Sequence, residues 1–217
     1  MPDRTYNQYC GVARALDLVG ERWALLVVRE LTLGGKRFTD LREGLPGIGT
    51  NVLATRLRQL EADGIVQKLR LAPPAATTVY VLTDYGQRVV PAMLALGRWG
   101  SESIGERSPE QSLRSEWFAV ALRAFFVPEA ALEVEATIEL VLPDGPFRVL
   151  IDHGTLRVAA GAAVDWDLRL SADVESLIGY LSGTGVPTAA LHPSGDTELL
   201  ELLPQLFRFT TQPVKVR

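Results

Sequence analysis

The hydrophobic pattern of this 217-residue chain changes its period once, and that change constrains the fold more than any other feature. Up to residue 100 apolar residues recur at helical spacing, whereas beyond residue 112 one helix gives way to strict alternation. Between them, residues 100–112 are rich in Ser, Glu and Gly. We therefore predict two domains, 1–105 and 106–217, the first mainly helical and the second α+β.

The first domain is predicted to contain helices, a tight turn and a hairpin. The predicted helices cover residues 12–19, 23–33, 38–43, 50–63 and 84–99, and the predicted strands cover 65–71 and 78–82. Thr50 is the expected N-cap of the fourth helix. Two short helices joined by a turn can place the second one in the DNA major groove, which is about 12 Å wide. The hairpin would then be a wing along the DNA backbone.

The fourth helix has one apolar face and one polar face. If Leu53, Leu57 and Leu60 point to the core, side chains suited to bases and phosphates point outward, since Asn pairs with adenine and Arg with guanine or phosphate. The candidate DNA-contacting residues are Lys36, Arg37, Thr50, Asn51, Thr55, Arg56, Arg58, Lys68 and Arg70. An ordinary solvated helix face has the same composition, so composition alone leaves both interpretations open.

Charge divides the chain at the same place. Residues 1–105 hold 13 Lys and Arg against 10 Asp and Glu, a net charge of +3. Residues 106–217 hold 9 against 16, a net charge of −7. A basic half joined to an acidic half is typical of a nucleic-acid reader fused to another domain, although +3 is too small to establish it.

The second domain is predicted to be an antiparallel sheet covered by helices. Strands over 132–142, 147–151, 156–160 and 164–170 share one apolar face, and helices over 113–127, 173–182 and 199–207 would cover it.

No motif indicates catalysis. The two histidines, His153 and His192, have no metal-ligand spacing, and no phosphate-binding loop or nucleophile elbow is found. We expect no enzymatic activity, metal or cofactor. The longest apolar run, residues 23–28, is far shorter than the ~20 residues of a membrane span. With a single cysteine and no signal peptide, a cytoplasmic protein without membrane partners is expected.

Short motifs follow one another in a fixed order through residues 8–100. They are Cys10-Gly-Val-Ala-Arg-Ala-Leu-Asp-Leu-Val-Gly, Arg22-Trp, Gly35-Lys-Arg-Phe-Thr-Asp-Leu, Leu45-Pro-Gly-Ile, Leu57-Arg-Gln-Leu-Glu-Ala-Asp-Gly-Ile-Val, Tyr80-Val-Leu-Thr-Asp-Tyr-Gly and Leu96-Gly-Arg-Trp. In order and spacing they resemble the HxlR family of winged helix-turn-helix transcription regulators, relatives of the MarR group. Gly11 departs from the family, which commonly has proline there. The resemblance implies a homodimer on pseudo-palindromic double-stranded DNA, a recognition helix at 50–63 and a dimer contact through the terminal helices of the module.

A second set of motifs lies beyond the linker. Asp165-Trp-Asp-Leu-Arg-Leu-Ser, Gly183, Gly195-Asp and the stripe over 199–207 resemble sterol-carrier-protein-like lipid-binding domains. This resemblance implies an apolar tunnel between sheet and helices. The candidate lining residues are Trp117, Phe118, Phe125, Ile138, Trp166, Leu177 and Tyr180. A solid core would show the same alternation.

The sequence therefore predicts a dimeric DNA-binding transcription regulator whose C-terminal domain binds a small apolar ligand that modulates operator binding. Two alternatives stay open. One is a lipid-binding or carrier protein that uses the winged helix for protein interaction. The other is a redox-sensing repressor acting through Cys10, because some HxlR proteins carry a thiol sensor at this position; a small, partly buried hydrophobe is the competing interpretation of Cys10.

Overall fold

The computed structural model describes residues 5–105 and 107–209. The chain divides into two compact units, Met1–Met93 and Leu94–Arg217. Whether the functional domains meet at 105/106 stays a prediction.

The first unit is a helical module with one hairpin. Its elements are α1 (Gly11–Val19), α2 (Ala24–Leu31), α3 (Phe38–Gly44), α4 (Thr50–Ala62), β1 (Val66–Arg70), β2 (Thr78–Leu82), α5 (Asp84–Gln87) and the start of α6 (Val90–Ser101). Apolar side chains of α2 and α4 form its core, since Val27, Val28, Leu53, Leu57 and Leu60 are almost fully buried. Strands β1 and β2 pair in antiparallel register. The predicted order of helices, turn and hairpin is therefore present.

Two details of the first unit differ from the sequence prediction. The N-cap of α4 is Gly49 and not Thr50, because the carbonyl of Gly49 already accepts the Leu53 N–H at 3.0 Å. The single helix predicted over 84–99 is divided into α5 and α6. A continuous helix would place Pro91 in its interior, where proline removes a hydrogen bond and clashes with the preceding turn. The division instead places Pro91 in the first turn of α6.

The second unit is an α+β fold. Its elements after the end of α6 are α7 (Ser115–Phe125), β3 (Glu135–Leu142), β4 (Gly145–Asp152), β5 (Thr155–Ala160), β6 (Leu168–Ser171), α8 (Val174–Leu181), β7 (Ser194–Gly195) and α9 (Thr197–Leu206). Asp173 caps α8 by accepting the Ser176 N–H at 2.7 Å, and Asp196 caps α9. By accepting backbone N–H groups of the first turn, the two aspartate side chains fix where α8 and α9 begin.

The sheet of the second unit is mixed, so the prediction of a purely antiparallel sheet is wrong. Its strand order is β5-β4-β3-β6-β7, and β6 runs parallel to β3. After β5 the chain crosses to the free edge of β3, where Asp167 accepts the Thr137 N–H through its side chain and donates its own N–H to the Thr137 carbonyl. The predicted strand over 164–170 therefore shrinks to β6. Val164 precedes that strand and is 91% exposed.

Candidate nucleic-acid interface

Helix α4 presents a polar face opposite its buried leucines. Leu53, Leu57 and Leu60 are at most 1% exposed, because they pack into the core of the first unit. The exposed side carries four of the predicted DNA-contacting residues, Thr50, Asn51, Thr55 and Arg58. Within this face, Arg58 Nη2 donates a hydrogen bond to Thr55 Oγ1 at 3.2 Å. This face has the donors and acceptors that base edges require.

Arg56 lies on the flank of α4 and is held by the protein itself. Its guanidinium donates to Glu21 at 3.2 Å and to Gln59 at 2.6 Å, and its side chain is only 12% exposed. Glu21 lies 35 residues earlier in the chain, in the segment between α1 and α2. Arg56 therefore attaches α4 to the start of the module.

Arg37 begins α3 and remains accessible. Its backbone N–H donates to Asp40 at 3.0 Å and its guanidinium pairs with the same carboxylate at 2.7 Å, yet the side chain is 58% exposed. The guanidinium bond of Arg37 is the main reason that the pKa of Asp40 lies below its ordinary value. The pair stabilises the first turn of α3 and keeps a cation beside it.

The hairpin carries two further predicted cations, Lys68 and Arg70. Lys68 lies opposite Tyr80 in the ladder, and its ammonium is 2.8 Å from Glu61 and 5.6 Å from the Tyr80 ring centre. The hydrogen bond to Glu61 raises the pKa of Lys68. Arg70 is exposed at the end of β1. A wing with accessible cations can follow a phosphate backbone.

Lys36 is also one of the predicted DNA-contacting residues, but in the structure its ammonium pairs with a buried carboxylate. Its ammonium lies 2.7 Å from Glu30, whose side chain is 0% exposed. Sequence reasoning missed Glu30, as it missed Glu21 and Glu61, because all three acids sit in helical or linking segments with nothing local to mark a partner. Spacing along the chain carries no signal for such contacts.

Cys10 lies at the N-terminus of α1 with an exposed thiol. Hydrogen bonds from the backbone of Ala13, and secondarily of Val12, lower the pKa of this thiol. Thiolates are the reactive form of cysteine, so the position favours reactivity.

The second unit encloses an apolar cavity of about 20 Å³ between the sheet and its helices. Three of the predicted ligand-lining residues, Phe118, Ile138 and Leu177, border it. The other four lie elsewhere. Trp117 is half-buried and Trp166 is 36% exposed. The Phe125 ring lies tilted against the Phe209 ring, and the Tyr180 hydroxyl donates to the Leu200 carbonyl. A cavity of this volume has room for about one water molecule, so the core is nearly solid.

Phe125 also borders a wider cleft of about 470 Å³ in the same unit. That cleft is lined by Arg98, Glu102, Ala124, Phe125, Phe126, Val127 and Arg208.

Within residues 5–105 and 107–209, no group of three or more His, Cys, Asp or Glu side chains could hold a metal ion. No helix in that part of the chain is long and apolar enough to cross a bilayer.

Comparison with known proteins identifies the first unit. The model of the HxlR-like helix-turn-helix family matches residues 18–108. The HTH-type transcriptional regulator sll1512 of Synechocystis sp. (strain ATCC 27184 / PCC 6803 / Kazusa) is 36% identical over 104 residues, which are 48% of this chain and 77% of that protein. The regulator YvaP of Bacillus subtilis (strain 168) is 32% identical over 91 residues, which are 42% of this chain and 84% of that protein.

Among solved structures, the redox regulator HypR in its oxidized form is 32% identical and has a TM-score of 0.41, with 46% of this chain and 99% of HypR covered. Residues 18–108, which the family model matches, include α2, α3, the hairpin and helix α4 with its exposed polar face. The chain therefore belongs to the HxlR-like helix-turn-helix family of DNA-binding transcription regulators.

Proposed function

We propose that this regulator binds a pseudo-palindromic operator as a homodimer, with α4 in the major groove and the β1–β2 hairpin along the backbone. The main support for this proposal is that helix α4 has two different faces. Its leucines are fully buried, and Thr50, Asn51, Thr55 and Arg58 are exposed on the opposite face. Asn and Arg can each form two hydrogen bonds with one base, so this face can discriminate between sequences. Arg37, Lys68 and Arg70 supply cations for phosphates.

Exposed apolar side chains at the N-terminus support the homodimer. Tyr9, Val12 and Leu16 are all exposed, and their spacing of three and four residues places Val12 and Leu16 on one face of α1. Leu96 and Trp99 are exposed on α6. Covering such side chains with a second copy removes apolar surface from water, and a two-fold dimer places two recognition helices one turn of DNA apart, about 34 Å.

The second unit is proposed to bind a small apolar ligand that changes operator affinity. The wholly apolar lining of the cavity supports this, with Phe118, Ile138 and Leu177 among the lining residues. A cavity of about 20 Å³ has to expand to admit a lipid, so binding would be coupled to a movement of the covering helices. The ligand can alter DNA binding only if it binds the two arrangements with different affinity.

The test begins with in vitro selection of DNA duplexes by the full chain. Fluorescence anisotropy then compares a selected duplex with a scrambled one across a salt series. We expect a preference of about a thousandfold or more. Equal affinities that vanish as salt rises would indicate phosphate attraction alone, and the carrier-protein alternative would then take first place. Titration with a fluorescent fatty acid tests the ligand separately: absence of binding removes that part and leaves the DNA proposal intact.

The redox alternative is favoured by the exposed, low-pKa thiol of Cys10. It requires that mild oxidant releases the selected duplex and that Cys10→Ser abolishes this response. An unchanged response in that variant would remove the alternative.

A further inference from the structure

A carboxylate is buried in the DNA-binding module at a place where three elements meet. Glu30 lies on α2, and its side chain is 0% exposed. One of its oxygens accepts hydrogen bonds from the Arg29 guanidinium, at 2.8 Å, and the other accepts from the Lys36 ammonium, at 2.7 Å. A buried carboxylate is costly to maintain unless it is paired, so the two cations offset that cost and fix the position of the Glu30 side chain.

The same carboxylate presses against the end of α3. Gly44 is the last residue of that helix and is buried. A Cβ placed on Gly44 would lie 2.2 Å from the nearer Glu30 oxygen, so the carboxylate fills the space that a side chain would need. Residues 45–49 follow at once and lead into α4. Glu30 thus supports the turn that sets the direction of the recognition helix.

Lys36 extends this connection to the hairpin. Its backbone N–H donates to the Tyr80 carbonyl at 3.0 Å, and the Tyr80 N–H donates back to the Lys36 carbonyl at 2.7 Å. Tyr80 is the central residue of β2. Through Lys36, the carboxylate on α2 is therefore linked to the wing.

We propose that Glu30 is a positioning residue for sequence-specific DNA binding, and that Lys36 acts through Glu30 and not as a phosphate contact. The Glu30–Lys36 pair fixes the turn before α4 relative to strand β2. In this arrangement α4 can contact bases while the hairpin contacts the DNA backbone. This inference rests on the proposed DNA-binding function. It assigns Lys36 a different role from the one its charge predicts.

The direction in which Glu30→Gln changes the affinity for DNA separates a positioning role from simple electrostatic attraction. Glu30→Gln removes a negative charge, and long-range attraction to phosphates then favours tighter binding of every duplex. A positioning role gives the opposite result for the selected duplex, because a misplaced recognition helix loses base contacts. Partial unfolding lowers the active fraction equally for all duplexes, so the ratio of the two affinities reports positioning and not stability.

The experiment measures anisotropy of the full chain on a duplex selected in vitro and on its scrambled counterpart, across a salt series. We expect Glu30→Gln to weaken the selected duplex about tenfold or more, the order of one good base contact, and to leave the scrambled duplex unweakened. Lys36→Gln should give the same loss with an unchanged salt slope, and the double variant should be no worse than either single one. Asp84→Asn, an exposed charge removal, is the control and should not weaken either duplex.

Gly44→Ala is the second variant, because Glu30→Gln can prevent folding. It changes no charge, yet its methyl group displaces the carboxylate, and it should lower the preference for the selected duplex in the same way. The inference is overturned if Glu30→Gln or Gly44→Ala binds the selected duplex as the parent does. It is also overturned if Lys36→Gln weakens both duplexes and lowers the salt slope by about two, about one for each subunit of the dimer. A parent chain with no preference refutes the proposed function itself, whereas a specific parent with unaffected variants refutes this inference alone.

Discussion

Asn51→Ala is the most direct perturbation of base recognition, because it changes no charge. Asn51 is the second residue of α4 and is exposed, and the N-terminal residues of a recognition helix are those that reach base edges. A good Asn–adenine pair is worth about 1–3 kcal/mol, or about 5- to 160-fold in affinity. A homodimer uses the residue twice, so the expected loss on the selected duplex is about 30-fold or more.

Stability does not confound this prediction. Position 51 lies on the solvent side of the helix, and Ala has a higher helix propensity than Asn. We therefore expect an unchanged or slightly higher melting temperature by circular dichroism. Gln87→Ala, another exposed and uncharged position in the first unit, is the matched control and should bind as the parent does.

The assay is anisotropy on the selected and scrambled duplexes at several salt concentrations. Asn51→Ala should reduce only the affinity for the selected duplex, and the salt slope should stay constant because no phosphate contact is lost. Equal weakening of both duplexes, or no weakening of either, would refute the placement of α4 in the major groove.

Three further outcomes follow from local geometry. Gly86→Ala should destabilise the first unit by about 1–3 kcal/mol in thermal unfolding, because its Cβ would lie 2.1 Å from the Ile65 carbonyl oxygen; an unchanged melting temperature would contradict the packing. The backbone N–H of Ser176 holds the pKa of Asp173 below its ordinary value, so its stabilisation is complete above the unfolded pKa of about 3.9 and is lost as pH falls through the lower folded pKa. Asp173→Asn should flatten that part of the stability–pH curve, and an identical curve would exclude the cap. The lowered pKa of Cys10 predicts that the reactivity of this thiol reaches half its maximum below a pH of about 8.5, which is the value for free cysteine. The Cys10→Ser variant, which has no thiol, gives the background rate.

Local patterns accounted for much of the first unit. The stripe of Leu53, Leu57 and Leu60 predicted α4 and its buried face, and β-prone residues predicted β2 over Thr78–Leu82. These features depend on neighbours within a few residues, which the sequence displays directly. The N-cap at Gly49 could not be read in the same way, because Thr50 has the better side chain for the position and the backbone alone places the start of the helix one residue earlier.

Such local patterns could not predict pairings between strands or side chains that lie far apart in the sequence. The parallel placement of β6 beside β3 depends on which sheet edge is free, and the alternation of Leu168 and Leu170 is the same for either edge. The size of the apolar cavity was equally hidden, because a filled core and a tunnel need the same side chains. The acidic partners of Arg56 and Lys36 are brought in by tertiary folding, and this decides which cations of the module can reach DNA.

Accessibility divides the paired cations of the module into two kinds. Arg37 and Lys68 are 58% and 47% exposed, and exposed ion pairs are worth about 0–1 kcal/mol, so these side chains can exchange a carboxylate for a phosphate at little cost. Lys36 is 13% exposed, and its departure would leave the buried Glu30 carboxylate paired with Arg29 alone; breaking one partner away from a buried ion pair costs about 3–5 kcal/mol.

The number of phosphate contacts is therefore limited. If only the accessible cations among the predicted DNA-contacting residues meet phosphates, Arg37, Lys68, Arg58 and Arg70 give about four contacts for each subunit and about eight for a dimer, and the slope of log K against log salt should be about −7. If Lys36 and Arg56 also contacted phosphates, the dimer would make about twelve contacts and the slope could approach −11. A slope beyond about −7 that returns to about −7 in the Lys36→Gln, Arg56→Gln double variant would show that these ion pairs open on DNA. A slope of about −7 or shallower in the parent chain would show that both pairs stay closed while exposed cations meet the backbone.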